Sequence, residues 1–125
     1  MRLNQVTVPA KDIPASIAFY RTLGLRLIVE DAHYARFELP EGEATFSLHL
    51  TDGHVPRSDA PVVYFECARL DEDVARLKAS GLRFEADPED KSWLWREAYL
   101  RDPAGNLLCL YFAGENRRYP PWRIG

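Results

Sequence analysis

The chain has 125 residues, 46% of them hydrophobic and 28% charged, which suits one soluble globular domain or two small modules sharing a core. A net charge of -3 leaves no basic stripe to neutralise phosphates, so nucleic acid is excluded as an expected partner. No window approaches the apolar length of a membrane span and residues 1–6 carry no apolar signal core, so a cytoplasmic protein without membrane partners is expected.

Residues 3–8 alternate as a strand that Pro9 ends. Asp12 is placed to cap a helix, Pro14 is tolerated in its first turn, Ile13, Ile17 and Tyr20 mark one face, and Gly24 stops it. Residues 25–30, 34–39 and 44–50 then read as three strands. The last has Phe46, Leu48 and Leu50 on one face and Thr45, Ser47 and His49 on the other.

A turn-rich linker, 52–60, precedes a second series. Residues 62–67 form a strand, and Leu70, Val74 and Leu77 mark a helix with Asp71, Glu72 and Asp73 in its first turn and Gly81 at its end. Residues 82–85, 93–101 and 106–112 supply three more strands. Val6 and Val63, Gly24 and Gly81, and Leu25 and Leu82 all stand 57 positions apart, which marks a duplication. Module one is therefore 1–51 and module two 61–113. The arm 114–125 carries Tyr119, Trp122 and Ile124, too apolar for a disordered tail.

In four strands one face is strongly apolar, and Val8, Leu48, Phe65, Leu110 and Phe112 are expected to pack beneath the helices. The opposite face, with Gln5, Thr7, Ser47, His49, Tyr64, Glu66, Cys109 and Tyr111, either lines a small-molecule cavity or is the wet side of a sheet. Tyr64, Trp95, Tyr99 and Tyr111 favour the cavity, since so many large aromatics are unusual on a solvated face. Cys67 and Cys109 lack metal or redox spacing and read as buried free thiols.

Asp102-Pro103-Ala104-Gly105-Asn106 is a tight turn leading into the final apolar strand. With Phe19-Tyr20, Leu23-Gly24-Leu25 and the paired strand-helix-three-strand modules, this turn makes residues 3–112 resemble the vicinal oxygen chelate superfamily, the fold of glyoxalase I, bleomycin-resistance proteins and extradiol dioxygenases. The resemblance implies an α+β fold in which two βαβββ modules form a U-shaped, mixed eight-stranded sheet around a cavity, helices outside, commonly in a homodimer.

The resemblance also carries the superfamily's metal-ligand places onto Gln5, Ser47, Val62 and Cys109. Gln5 matches the pattern; valine offers no donor, serine is a poor ligand, and one buried cysteine does not replace a carboxylate in a hard oxygen site. No metal and no other cofactor is therefore expected.

Two functions remain open. The first is metal-independent binding, of a sequestration or resistance type, of a small aromatic or amphipathic molecule among Tyr64, Trp95, Tyr99 and Tyr111, with Gln5, Thr7, Ser47 and Cys109 lining the same face. The second is an enzyme resembling lactoylglutathione lyase or a dioxygenase, with a divalent-metal site rebuilt from Gln5, His49 and Glu66. For any catalysis His49 is the acid-base candidate, because imidazole titrates near neutrality, and Glu66 its partner.

Overall fold

The computed structural model describes all 125 residues. In chain order the elements are β1 (Gln5–Ala10), α1 (Ile13–Leu23), β2 (Arg26–Glu30), β3 (Tyr34–Glu38), β4 (Thr45–Leu50), β5 (Val63–Glu66), α2 (Leu70–Ala79), β6 (Glu89–Asp90), β7 (Arg96–Arg101) and β8 (Leu107–Phe112), with a 3-10 turn at Gly114–Asn116. The class is α+β, and no helix is long and apolar enough to cross a membrane.

The eight strands fall into two mixed four-stranded sheets, ordered β1-β4-β3-β2 and β5-β8-β7-β6. The duplication read from the 57-residue offset thus reappears as one topology used twice. In each, the first strand pairs in parallel with the last, and the remaining pairs are antiparallel. The chain divides into two compact units. The first holds Met1–Ala60 together with Asp102–Asn106, and the second Pro61–Arg101 and Leu107–Gly125.

In the first unit Asp12 caps α1 as its side chain predicts, its Oδ1 accepting from the Ala15 amide at 3.0 Å. Gly24 ends the helix at φ 118°, a left-handed conformation that costs glycine little, and the Leu25 amide turns back to the Tyr20 carbonyl at 2.9 Å. The same closure recurs 57 residues later, where the Leu82 amide bonds the Leu77 carbonyl at 3.1 Å. Helix α1 buries Ile13, Ser16, Ile17 and Tyr20. The Tyr20 ring lies 4.6 Å from Phe46 and 5.8 Å from Phe37, centroid to centroid, and full burial of such rings stabilises the unit by roughly 1.5–3 kcal/mol each.

The turn 102–106 closes this core. The Asp102 carboxylate, 5% exposed, accepts from the Tyr20 hydroxyl at 2.7 Å, from the Asn106 side-chain amide at 2.8 Å, and from the Ala104 and Asn106 backbone amides at 2.9 Å each. Asn106 Nδ2 also donates to the Pro9 carbonyl at 2.8 Å. Burial first, and then the Asp102 charge, push the Tyr20 hydroxyl far above its ordinary pKa, so it stays a donor.

In the second unit α2 buries Leu70, Val74 and Leu77, and Leu100, Leu108 and Leu110 are buried in the sheet of the same unit. Its N-terminus has no side-chain cap, but Asp71, Glu72 and Asp73 complement the helix dipole.

Four local expectations change. Pro9 does not end β1: the strand lies at the edge of its sheet, where a missing N–H is tolerated, and it continues to Ala10. Residues 82–85 form only one bridge, Phe84 to Leu100; the fourth strand of the sheet is the two-residue β6, because Asp87-Pro88 interrupts the ladder. Strand β7 starts at Arg96 and not at Trp93, since residues 91–95 make the turn into it, with Leu94 at φ 67°. In the same unit Phe112 is 43% exposed and not packed beneath the helix; it lines a shallow groove with Leu70, Asp71 and Arg96 at the start of α2.

Candidate functional site

Strand register decides which side chains meet. In the second sheet Tyr64, Cys109 and Tyr99 form one cross-strand row, and Glu66, Tyr111 and Glu97 the next on the same face. Ring contacts join the rows. Trp95 stacks on Tyr111 with centroids 4.7 Å apart and planes 22° from parallel, and Tyr64 meets Trp95 at 5.9 Å and Tyr111 at 5.6 Å, edge to face in both cases. Tyr111 is 5% exposed and Tyr64 45%, so the cluster runs from a buried base to an open ring.

The polar groups of this face are bound among themselves. Glu97, 2% exposed, accepts from the Trp93 indole N–H at 2.7 Å and from the Tyr99 hydroxyl at 2.6 Å. Burial, and then the hydrogen bond to Glu97, raise the Tyr99 pKa well above the phenol range. Glu66 Oε2 accepts from the Ala113 and Gly114 backbone amides at 2.9 Å each, with Arg117 at 3.9 Å from its other oxygen. The Trp95 indole N–H donates to the Asn116 carbonyl at 3.4 Å. Glu66 and Trp95 therefore hold the start of the C-terminal arm. Cys109 is fully buried, and burial, then the Glu97 charge, push its thiol up to about 12, too high for a neutral-pH nucleophile.

The first sheet carries its own polar face. Gln5 pairs with Thr45, Ser47 with Thr7 and Arg36, and His49 with Pro9 and Tyr34. Gln5 Oε1 accepts from the Thr45 hydroxyl at 2.8 Å, and the hydroxyls of Thr7 and the fully buried Ser47 are 2.6 Å apart. His49 is exposed near the end of β4.

The residues expected to form a site thus divide by unit. Tyr64, Glu66, Trp95, Tyr99, Cys109 and Tyr111 share one face of the second sheet, and Gln5, Thr7, Ser47 and His49 one face of the first. Sequence reasoning missed the central role of Glu97. Its signal was there in the alternation Trp95, Glu97, Tyr99, which places it on the aromatic face.

The places that the fold family gives to metal ligands do not suit a divalent cation. Val62 has no donor atom, Cys109 offers a fully buried soft thiol in place of a carboxylate, the Ser47 hydroxyl is engaged with Thr7, and Gln5 Oε1 is engaged with Thr45. No group of three His, Cys, Asp or Glu side chains is assembled elsewhere to replace them. Glu66, the carboxylate of the rebuilt set, is already committed to two backbone amides.

A family model described as the glyoxalase/bleomycin resistance protein/dioxygenase superfamily matches residues 2–110. Among solved structures, a glyoxalase/bleomycin resistance protein/dioxygenase from Nocardioides is 25% identical, with 100% of this chain and 90% of that one covered and a TM-score of 0.74. A bleomycin-binding protein complexed with bleomycin is 24% identical over 90% and 98% of the two chains, at a TM-score of 0.74. A lactoylglutathione lyase from Agrobacterium tumefaciens is 22% identical over 98% and 97%, at 0.72. At these identities the last two likenesses establish the fold alone. No protein of curated function matches.

Proposed function

Because the chain belongs to the glyoxalase/bleomycin resistance protein/dioxygenase superfamily, we propose that it is a metal-independent binding protein, of the sequestration or resistance type, for a small aromatic or amphipathic molecule. One observation carries this reading: on the aromatic face of the second sheet the acid-base groups are committed while ring surface is open. Glu97 and Glu66 each accept two hydrogen bonds and the Cys109 thiol is buried and protonated, whereas Tyr64 is 45% exposed beside the half-buried Trp95. Such a face offers apolar burial and stacking rather than proton transfer.

Tyr64 and Trp95 supply the contact area, the buried Tyr111 backs Trp95, and Tyr99, fixed by Glu97, keeps the rings in register. The unsuitability of Gln5, Ser47, Val62 and Cys109 as a ligand set supports binding without a metal. The reading keeps the homodimer and cytoplasmic setting that the sequence leads one to expect, which light scattering and cell fractionation test.

Protein purified without chelators is analysed for small molecules carried from the cell and for divalent metal. The reading expects a co-purified aromatic compound, depleted in Trp95→Ala, and metal far below one ion per chain. One tightly held ion per chain, lost in His49→Ala, contradicts it.

A further inference from the structure

The two half-buried arginines of this chain differ in one respect. Arg96 is paired with Asp71 at 2.9 Å and Asp90 at 3.1 Å, whereas Arg36, in the middle of β3, has no carboxylate partner. Its Nε donates to the Tyr34 hydroxyl at 2.9 Å, and its guanidinium lies 5.3 Å from the Tyr34 ring centroid. These contacts leave the outer edge of the guanidinium, the two terminal nitrogens, without acceptors. Glu38, two residues on along the same face, sits 3.8 Å from Arg26. Taking a guanidinium part-way out of water without a counter-charge is unfavourable, and proteins retain such groups where an anion completes them.

The neighbours of Arg36 are donors. Thr7 and Ser47 occupy the same cross-strand row, and their hydroxyls are 2.6 Å apart. With Arg36 Nε donating to its oxygen, the Tyr34 hydroxyl keeps its own O–H to donate. Burial acts to raise the Tyr34 pKa, but the nearby Ser47 hydroxyl and the Arg36 guanidinium outweigh it and lower the value, which makes this hydroxyl a stronger donor.

We infer that the polar face of the first sheet holds a carboxylate-binding site, in which the terminal nitrogens of Arg36 grip the two oxygens and the Tyr34 hydroxyl, held by Arg36 Nε, donates a third hydrogen bond. A planar carboxylate fits better than a phosphate, because only one two-nitrogen edge is free and a carboxylate matches it as a fork. The site lies on other residues and another unit than the aromatic face, so the two readings stand or fall separately.

The test is an NMR titration of the whole chain with sodium acetate and, separately, inorganic phosphate, against chloride at constant ionic strength, following Arg36 Nε–H and the Thr7 and Ser47 amides. Acetate is expected to give saturable shifts, with apparent affinity reduced about tenfold or more in Arg36→Gln, as for loss of a charged, two-pronged contact. Arg36→Lys keeps the charge without the fork, and a reduction of about threefold or more is expected there. Arg26→Gln, which removes an exposed charge from the neighbouring strand, is expected to titrate like wild type. Absence of saturable acetate shifts overturns the inference. So does an unchanged response in Arg36→Lys or Arg36→Gln, an equal loss in Arg26→Gln, or tighter binding of phosphate than of acetate.

Discussion

Trp95 stacks on Tyr111 with centroids 4.7 Å apart and planes 22° from parallel, so the more exposed ring rests on a nearly buried one. The stack is a structural as well as a binding element, and Trp95→Ala removes it together with the edge contact to Tyr64. The variant is expected to lose about 2 kcal/mol of stability, while Trp95→Phe, which keeps a stacking face, loses about half as much; urea unfolding measures both.

Glu97 is the polar centre beneath that stack. In Glu97→Gln one carboxylate oxygen becomes an amide that faces either the Trp93 N–H or the Tyr99 O–H, and one donor is left without an acceptor. The expected cost is about 1–3 kcal/mol. Tyr99→Phe combined with Glu97→Gln should cost less than the two changes separately, because the pair shares one bond. Additive losses in a double-mutant cycle would contradict the coupling.

Asp102 performs the corresponding task in the first unit, accepting four hydrogen bonds within the turn 102–106 and from Tyr20. Tyr20→Phe removes one donor and is expected to cost about 1–2 kcal/mol; Asp102→Ala strands four donors and should cost about 3 kcal/mol or more. Thermal melts of the two variants, ranked in that order, check the assignment.

That turn shows how far the sequence could be read. Proline, glycine and flanking Asp and Asn announce a tight turn from local rules alone, and so do the Asp12 cap and the Gly24 stop. The 57-residue offset announced the duplicated topology. The partnership of Tyr20 with Asp102, 82 residues apart, has no local signature. Glu66 and Glu97 illustrate the same limit: alternation places both on the aromatic face, but only the fold shows that one holds the C-terminal arm and the other holds Tyr99 and Trp93. Residues 82–85 failed as a strand because two apolar positions were outweighed by the following Asp87-Pro88, a break that lies beyond the segment itself.

Alkaline pH is expected to destabilise the protein. Burial raises the thiol of Cys109 from 9.0 to about 12 and that of Cys67 from 9.0 to about 11. Below pH 9 both thiols keep their protons in either state and stability is at its full value. Between pH 9 and about 12 the unfolded chain releases protons that the folded chain holds, so stability falls as pH rises. Urea midpoints from pH 8 upward check this, and Cys109→Ala should show a shallower fall. A steeper fall in that variant would contradict the assignment.

The central claim is that the aromatic face binds a planar molecule without a metal. Its most direct measurement is isothermal titration of chelator-treated protein with metal-free bleomycin and with a planar heteroaromatic probe such as acridine, in wild type and in Trp95→Phe and Trp95→Ala. The account predicts saturable binding of at least one of them in the presence of chelator, largely kept by Trp95→Phe and weakened about tenfold or more by Trp95→Ala, as for loss of a stacking contact. Binding of neither compound, binding that requires an added divalent ion, or equal binding in Trp95→Ala would contradict it.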